Sequence, residues 1–339
     1  MKESFKIWKL KFHSPLHLSK GKSDDYGVSE EIIHSDTLKS ALYVCAKELG
    51  MTSARLNDTT FFESFRVTSA FPFFKNELFF PKPMLKLQPF VEGDFAEEKQ
   101  AKTHKKISYI GQSYFEDIID ENKLHISKSY LSKDGKFLSS VLHFETLDSS
   151  IMESDVQQRV TIPRDYAGDP IPYYVDRLFF TEEAGLWFAF KGNEEVFEEM
   201  TKALILLGDY GIGTDRNVGN GQFTVEVGEL QLRIPQTANY QVSLSLWCPK
   251  KEEIEGTSVL ENSRYNLLKR GGYIASPASI EHLTFRKKSI YMFSEGSVFP
   301  ASISTIGKIV DLKPDISTIK QSVWRDGQGF MIPVKNVAL

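Results

Sequence analysis

The sequence predicts a mixed α+β fold whose first half runs strand, helix, inserted strands, helix, loop, strand. Three observations carry this. Near the N-terminus Trp8, Leu10 and Phe12 alternate with Lys9 and Lys11. Much further on, Val196, Met200, Ala203, Leu204 and Leu207 recur at helical spacing. A glycine-rich run then leads to Phe223, Val225 and Val227, which alternate with Gln222, Thr224 and Glu226. Period two marks strands and period 3.6 marks helices. The order is compatible with a ferredoxin-like βαββαβ unit.

Taken in order, Phe5–Phe12 reads as a half-buried strand with its lysines outward. A loop follows, containing His13, Pro15, His17, Gly21 and Gly27. Ser35 reads as the N-cap of a helix over about 36–49, with Leu38, Leu42, Cys45 and Leu49 as its stripe and Gly50 as its stop. Residues 51–160 are less regular and read as an insertion. Phe71-Pro72-Phe73-Phe74 and Pro81-Lys82-Pro83 mark extended pieces and turns. Glu97–Lys106 reads as a charged exposed stretch, and Ser129–Ser140 as a polar hairpin. Asn193 caps the second helix, with Glu194 and Glu195 favourably placed against the helix dipole and Gly208 as the stop. A boundary falls within 229–239, dividing the chain into an N-terminal domain, 1–228, and a C-terminal domain, 229–339. In the second part Val242, Leu244 and Leu246 alternate with Ser243 and Ser245. Ser289–Phe293, Lys308–Leu312 and Phe330–Val334 are further strands. Gly327-Gln328-Gly329-Phe330 echoes Gly219-Asn220-Gly221-Gln222-Phe223, as a diverged duplication would.

Composition bounds the function. The chain has 339 residues, 41% apolar and 25% charged, enough for two packed domains. Its net charge of −4 argues against a free-standing, charge-driven nucleic-acid binder and fits a few placed contacts shared with partners. Two cysteines, Cys45 and Cys248, make neither a disulfide framework nor a four-ligand zinc site. No apolar run is long enough to span a bilayer, and the N-terminus lacks a signal peptide's apolar core. A cytoplasmic protein without cofactor, metal or membrane partner is expected.

The densest motif is Gly208–Gly221, with five glycines in 14 positions joining a helix end to a strand. Glycine removes the side chain and permits positive φ, so successive amides can converge on a phosphate oxygen. Arg216 adds a cation, while Asp209 and Asp215 oppose an anion by charge. The run is neither a Walker loop nor a Rossmann fingerprint, since GxxxxGK[ST] is absent and the glycines follow a helix. An ordinary αβ connection is the bland alternative. Arg159–Asp165 is a second candidate: Arg159 and Arg164 flank a proline-limited segment and could clamp a nucleic-acid backbone, with Ile162 wedged against a base. A solvated surface loop explains it equally. His13, His17 and His34, with Ser35 and Asp36, are RNA contacts, general bases for metal-free RNA cleavage, or simply polar loop residues. Two basic runs, around His104 with Lys99, Lys102, Lys105 and Lys106, and at Arg286-Lys287-Lys288, are solvated faces or RNA contacts.

These pieces resemble a known family. Gly211-Ile212-Gly213 and Arg216 leading to Gly219-Asn220-Gly221-Gln222-Phe223 are similar to the signature of the RAMP superfamily of CRISPR proteins. Several further pieces narrow the resemblance to subunit four of the type III-A Csm effector complex. They are the Phe5–Leu18 opening, His34-Ser35-Asp36-Thr37-Leu38, Ala70-Phe71-Pro72-Phe73 followed by Pro81-Lys82-Pro83, Arg159–Asp165, Gly271-Gly272-Tyr273, Gly296-Ser297-Val298-Phe299 and Gly327–Phe330. The resemblance implies two ferredoxin-like (RRM-like) domains with insertions in the first. It implies a non-catalytic subunit that caps the 5′ handle of crRNA, docks the large polymerase-like subunit and contacts the repeating RAMP backbone subunit. The implied RNA contacts are Gly211, Ile212, Gly213, Thr214, Arg216, Asn217, Gly219, Asn220 and Gly221 in the loop, Arg159, Ile162 and Arg164 in a thumb-like hairpin, and His13, His17, His34 and Ser35. The alternative from another class is a metal-independent RAMP endoribonuclease processing precursor crRNA, with His34 or His17 as base. A third reading is a scaffold whose loop docks protein.

Overall fold

The computed structural model describes residues 1–20, 26–51, 59–92, 97–121, 123–147, 150–162, 168–255, 260–274, 285–316, 319 and 321–335. In chain order the N-terminal part comprises β1 (Lys2–Phe12), α1 (Ser35–Glu48), α2 (Thr60–Glu63), β2 (Arg66–Val67), β3 (Phe71–Phe74) and β4 (Glu77–Pro81). It continues with β5 (Gln88–Glu92), α3 (Glu97–Lys106), β6 (Tyr109–Gly111), α4 (Gln112–Glu121), β7 (Lys123–Ser127) and β8 (Phe137–Leu138). Then come β9 (Met152–Thr161), β10 (Ile171–Phe180), β11 (Ala184–Lys191), α5 (Glu194–Tyr210) and β12 (Phe223–Arg233). The C-terminal part has β13 (Tyr240–Ser243), α6 (Lys251–Ile254), β14 (Leu267–Arg270), β15 (Ile290–Phe293) and β16 (Val298–Pro300). It ends with β17 (Gly307–Asp311), β18 (Trp324–Gln328) and β19 (Met331–Val334).

One sheet organises the N-terminal part, in the order β12-β1-β11-β3-β4-β6-β8. Its first four strands pair antiparallel, and α1 and α5 connect them as strand–helix–strand–strand–helix–strand. The hairpin of β3 and β4 is therefore part of the sheet, and the insertion begins only after Pro81. Within that insertion Glu97–Lys106 is a helix, and the hairpin-like 129–140 segment closes on the Leu131–Leu138 bridge with Phe137 and Leu138 buried.

Alternation along β1 sorts the core. Trp8 and Leu10 face α1 and α5, where Trp8 stacks on Phe197 at 4.5 Å between ring centres. Phe5 and Ile7 face the other way, onto Trp187, Leu230, Val242 and Phe330. The buried face of the strand thus switches between Ile7 and Trp8, because the C-terminal part covers Phe5 and Ile7 on the side expected to be open. Each such large apolar side chain contributes about 1.5–3 kcal/mol when fully buried.

Two helix ends differ from expectation for clear reasons. His34, not Ser35, is the N-cap residue of α1, because the Ser35 hydroxyl instead accepts the Leu246 amide at 3.1 Å. Asn193 does cap α5, its Oδ1 accepting the Val196 amide at 2.9 Å. Gly208 does not end that helix, which runs to Tyr210; a Cβ at 208 would lie 2.3 Å from the Phe223 carbonyl, so the glycine serves close packing against β12.

β12 pairs with β1 as far as Lys2–Arg233, so the first sheet retains residues up to Arg233. In the C-terminal part the strands β16-β13-β19 form one antiparallel sheet. Among the described residues its only helix, α6, has four residues, and the β17–β18 hairpin packs on α1. The described residues form an α+β fold whose long helices all lie before β12.

Candidate nucleic-acid interface

The glycine-rich run is a seated loop rather than a bare ring of amides. The Ile212 amide donates to the Gly221 carbonyl at 2.9 Å and closes it. Three bonds then fasten it to the segment after β1: Thr214 N to His17 O at 3.0 Å, Gly221 N to Pro15 O at 2.8 Å, and Gln222 N to Ser14 Oγ at 2.7 Å. Ile212 is buried and acts as the plug. Gly213 holds φ +107°, and a Cβ there would sit 2.4 Å from the His17 carbonyl. Gly219 holds φ +83° with nothing within 4 Å of the Cβ position. Close approach thus explains the first glycine, and only backbone conformation the second.

What remains for a ligand is the lip. Thr214, Arg216, Asn217, Val218 and Gly219 are exposed. The amides of Gly213, Asp215 and Asn220 make no backbone bond among the described residues. The Asn220 side-chain amide is buried without a partner. Asp215 does not oppose an anion as its charge alone implies. Its carboxylate is paired with Arg177 at 3.0 Å, the two side chains being 18% and 8% exposed. Arg177 also donates to Gln157 at 3.1 Å, which ties the loop to the middle of a hairpin.

That hairpin is β9 and β10, paired over ten residues from Phe180–Met152 to Ile171–Thr161. It projects with Val156, Val160, Ile162, Ile171 and Tyr174 exposed. Arg159 lies opposite Tyr173, whose ring meets Tyr26, and Tyr26 stacks on His17 at 5.5 Å. Arg164 lies outside the described residues. Arg177, Tyr26 and Tyr173 were not singled out from sequence. The one available signal was the alternation of Tyr173, Val175 and Arg177 along a strand face.

The three histidines separate. His13 is exposed beside the loop, its amide donating to the Gln222 carbonyl at 3.2 Å. His17 is buried, and its Nδ1–H donates to the Asp176 carbonyl at 2.6 Å. His34 and Ser35 are not brought to the loop. Tyr210, where the glycine run begins, donates to Glu48 in the last turn of α1. His34 stands at the other end of that 14-residue helix, about 20 Å away at 1.5 Å per residue.

His34 and Ser35 belong instead to a buried seam against the C-terminal part. His34 Nδ1 meets Glu295 at 2.8 Å. Asp36 accepts from Arg270 at 2.9 Å and pairs with Arg325 at 3.0 Å. Lys39 pairs with Asp326 at 3.1 Å. Burial acts to raise the Asp36 carboxyl, but Arg270 and Arg325 outweigh it and hold it well below the usual carboxylate range. Of the basic runs, His104 is partly buried, and burial with the nearby Lys82 pushes its imidazole down to about 4. Among the described residues, no group of three His, Cys, Asp or Glu could hold a metal, and no helix is long and apolar enough to cross a membrane.

Comparison with known proteins agrees with this architecture. Residues 236–334 match the family model of the CRISPR Csm4 C-terminal domain. The chain is 25% identical over 283 residues to the Csm4 protein of Mycobacterium tuberculosis, covering 81% of this chain and 83% of that one. It is 28% identical over 280 residues to the Csm4 protein of Thermococcus onnurineus, covering 80% and 83%. Among solved structures it is similar to the Csm3–Csm4 subcomplex of the type III-A interference complex, with TM-score 0.64, 19% identity and coverage of 98% and 100%. It is also similar to the Csm1–Csm4 cassette bound to pppApA, with TM-score 0.60, 19% identity and 98% of each chain covered. The family model matches the C-terminal part, the Csm4 relatives align over about four-fifths of the chain, and the fold is shared with solved Csm4 chains over nearly its whole length, so the chain is similar to the Csm4 subunits of type III-A CRISPR complexes.

Proposed function

We propose that this subunit is a non-catalytic RNA holder in the cytoplasm that caps the 5′ handle of crRNA, docks the large polymerase-like subunit and contacts the repeating RAMP backbone subunit. The observation that carries the reading is the fastened glycine loop with its exposed lip, unbonded amides and Arg216. Fixed amides suit a phosphodiester chain, because they need no reordering on binding. The pairing of Asp215 with Arg177 removes the charge that would repel phosphate. The projecting hairpin, with Arg159 and Ile162 towards the far end of its described part, is the thumb against the RNA as it leaves the loop. The relatives' names, which pair Csm4 with Csm3 and with Csm1, support the two docking roles. The second half is read as a ferredoxin-like unit too, with strands β19-β13-β16 in the order of a reduced copy and a hairpin where a helix would stand.

The test is purification with the partner subunits and sequencing of bound RNA. One uniform 5′ end is expected, and an intact particle without RNA would overturn the reading. Arg216→Ala and Gly219→Asp should lower RNA retention, and Lys102→Ala should not. The endoribonuclease reading needs a histidine that reaches substrate. His17 and His34 are both buried with a ring nitrogen engaged, which weighs against it. Cleavage in EDTA that His34→Ala abolishes would restore it.

A further inference from the structure

The basic run at Arg286-Lys287-Lys288 finds a place in the fold that the glycine loop does not explain. β14 and β15 form a two-stranded antiparallel pair, bridged to Trp247 at Phe293, with Leu267 opposite Phe293 and Lys269 opposite Tyr291. A bridge between Tyr273 and Arg286 continues the ladder. Alternation sends Arg270 inward to Asp36, while Leu267 and Tyr291 face out, 51% and 61% exposed. Tyr265, one step before the strand on the same side, borders a groove of about 370 Å³ lined also by Met84, Leu85, Lys86 and Arg264. Arg286 lies over the Tyr273 ring at 5.4 Å.

We propose that this open sheet face and its groove form a second RNA surface, which takes single-stranded RNA by stacking and phosphate contact. Rings and cations alternate along it: Tyr265 beside Arg264, Tyr291 beside Lys269, Tyr273 beside Arg286. Base stacking on rings set between cations is how sequence-tolerant single-strand binders work, and aromatic rings on a sheet face can stack two or three bases. Charge favours nucleic acid over a protein partner: Arg264, Lys269 and Arg286 border the face, and the described stretches 260–274 and 285–293 hold one acid, Glu261, in a chain of net charge −4. Arg270 is turned inward onto Asp36, Lys288 pairs with Asp315, and burial pushes Lys287 down to about 7, so these three add little. Lys269 has no ion-pair partner among the described residues, and the Tyr291 hydroxyl has no hydrogen bond there, so both remain available for a ligand. The ladder from 265 to 269 spans about 13 Å at 3.3 Å per residue, room for about two nucleotides.

The experiment uses the full chain and a fluorescent decauridine oligonucleotide, with affinity read by anisotropy at fixed salt and adducts mapped after ultraviolet crosslinking. Tyr291→Ala should weaken binding between about five- and a hundred-fold. Lys269→Ala should weaken it less and flatten the salt dependence. Adducts should fall on Tyr291 or Tyr265. Both positions are exposed, so folding survives, and Ile205→Ala on the outer face of α5 serves as control. Arg216→Ala should leave the Tyr291 adduct in place, which separates this surface from the glycine loop. Unchanged affinity in Tyr291→Ala without an adduct there would overturn the proposal. So would a Tyr291 that crosslinks only to protein in the assembled particle.

Discussion

Replacing Gly213 by alanine should cost far more stability than replacing Gly219, although both glycines sit in one loop at positive φ. At Gly219 the added methyl meets nothing within 4 Å, so the penalty is the left-handed backbone alone. That is about 1–2 kcal/mol, offset by about 0.4–1 kcal/mol from a stiffer unfolded chain. At Gly213 the same methyl arrives 2.4 Å from the His17 carbonyl oxygen. Relief requires the loop to move off the segment after β1, which breaks the Thr214–His17 bond of 3.0 Å. That adds about 1 kcal/mol for the bond and at least as much for lost contact around Ile212. The difference between the two variants should be about 2 kcal/mol, roughly a thirty-fold change in unfolding constant. Urea unfolding of both full-length variants, followed by tryptophan fluorescence, measures it. Equal unfolding free energies would refute the idea that the loop is locked onto residues 14–17.

Three further outcomes rest on the same contacts. In a double-mutant cycle of Arg177→Met and Asp215→Asn, the pair should show a coupling of about 1–2 kcal/mol; Arg177→Met alone should also lower RNA retention, because it leaves Asp215 charged at the lip, whereas Asp215→Asn alone should not. Asp36→Asn leaves Arg270 and Arg325 unpaired in the seam and should cost about 3–5 kcal/mol at pH 7. The folded Asp36 carboxyl is held below its unfolded value near 3.9, so its contribution is present above pH 4 and fades on further acidification; the gap between variant and parent, measured by urea unfolding, should narrow only below pH 4. His104 titrates near 4 when folded and near 6.5 when unfolded. The unfolded state therefore binds more protons between those values, and stability should fall as pH drops from 6.5 to 4. His104→Gln should flatten that slope, and an unchanged slope would count against a buried imidazole.

Much of the first domain was legible in the sequence because its signals are local. The alternation of Trp8, Leu10 and Phe12, the Asn193 cap and the stripe from Val196 to Leu207 each depend on residues within a few positions of one another. Glycine density likewise marked the loop and its neighbours Thr214, Arg216 and Asn217. Tertiary structure decided what those residues do. Asp215 read as a charge hostile to phosphate until Arg177, 38 positions away, neutralised it. Ser35 read as a cap and His34 as an RNA contact until a C-terminal half more than two hundred residues later supplied Leu246, Glu295 and, 234 positions from Asp36, Arg270. Gly208 read as a helix stop, yet it is a point of contact with the next strand. The physical reason is the same in each case. Period and propensity report on neighbours along the chain, whereas charge pairing, burial and close backbone approach are fixed by residues that meet only after the sheet has closed.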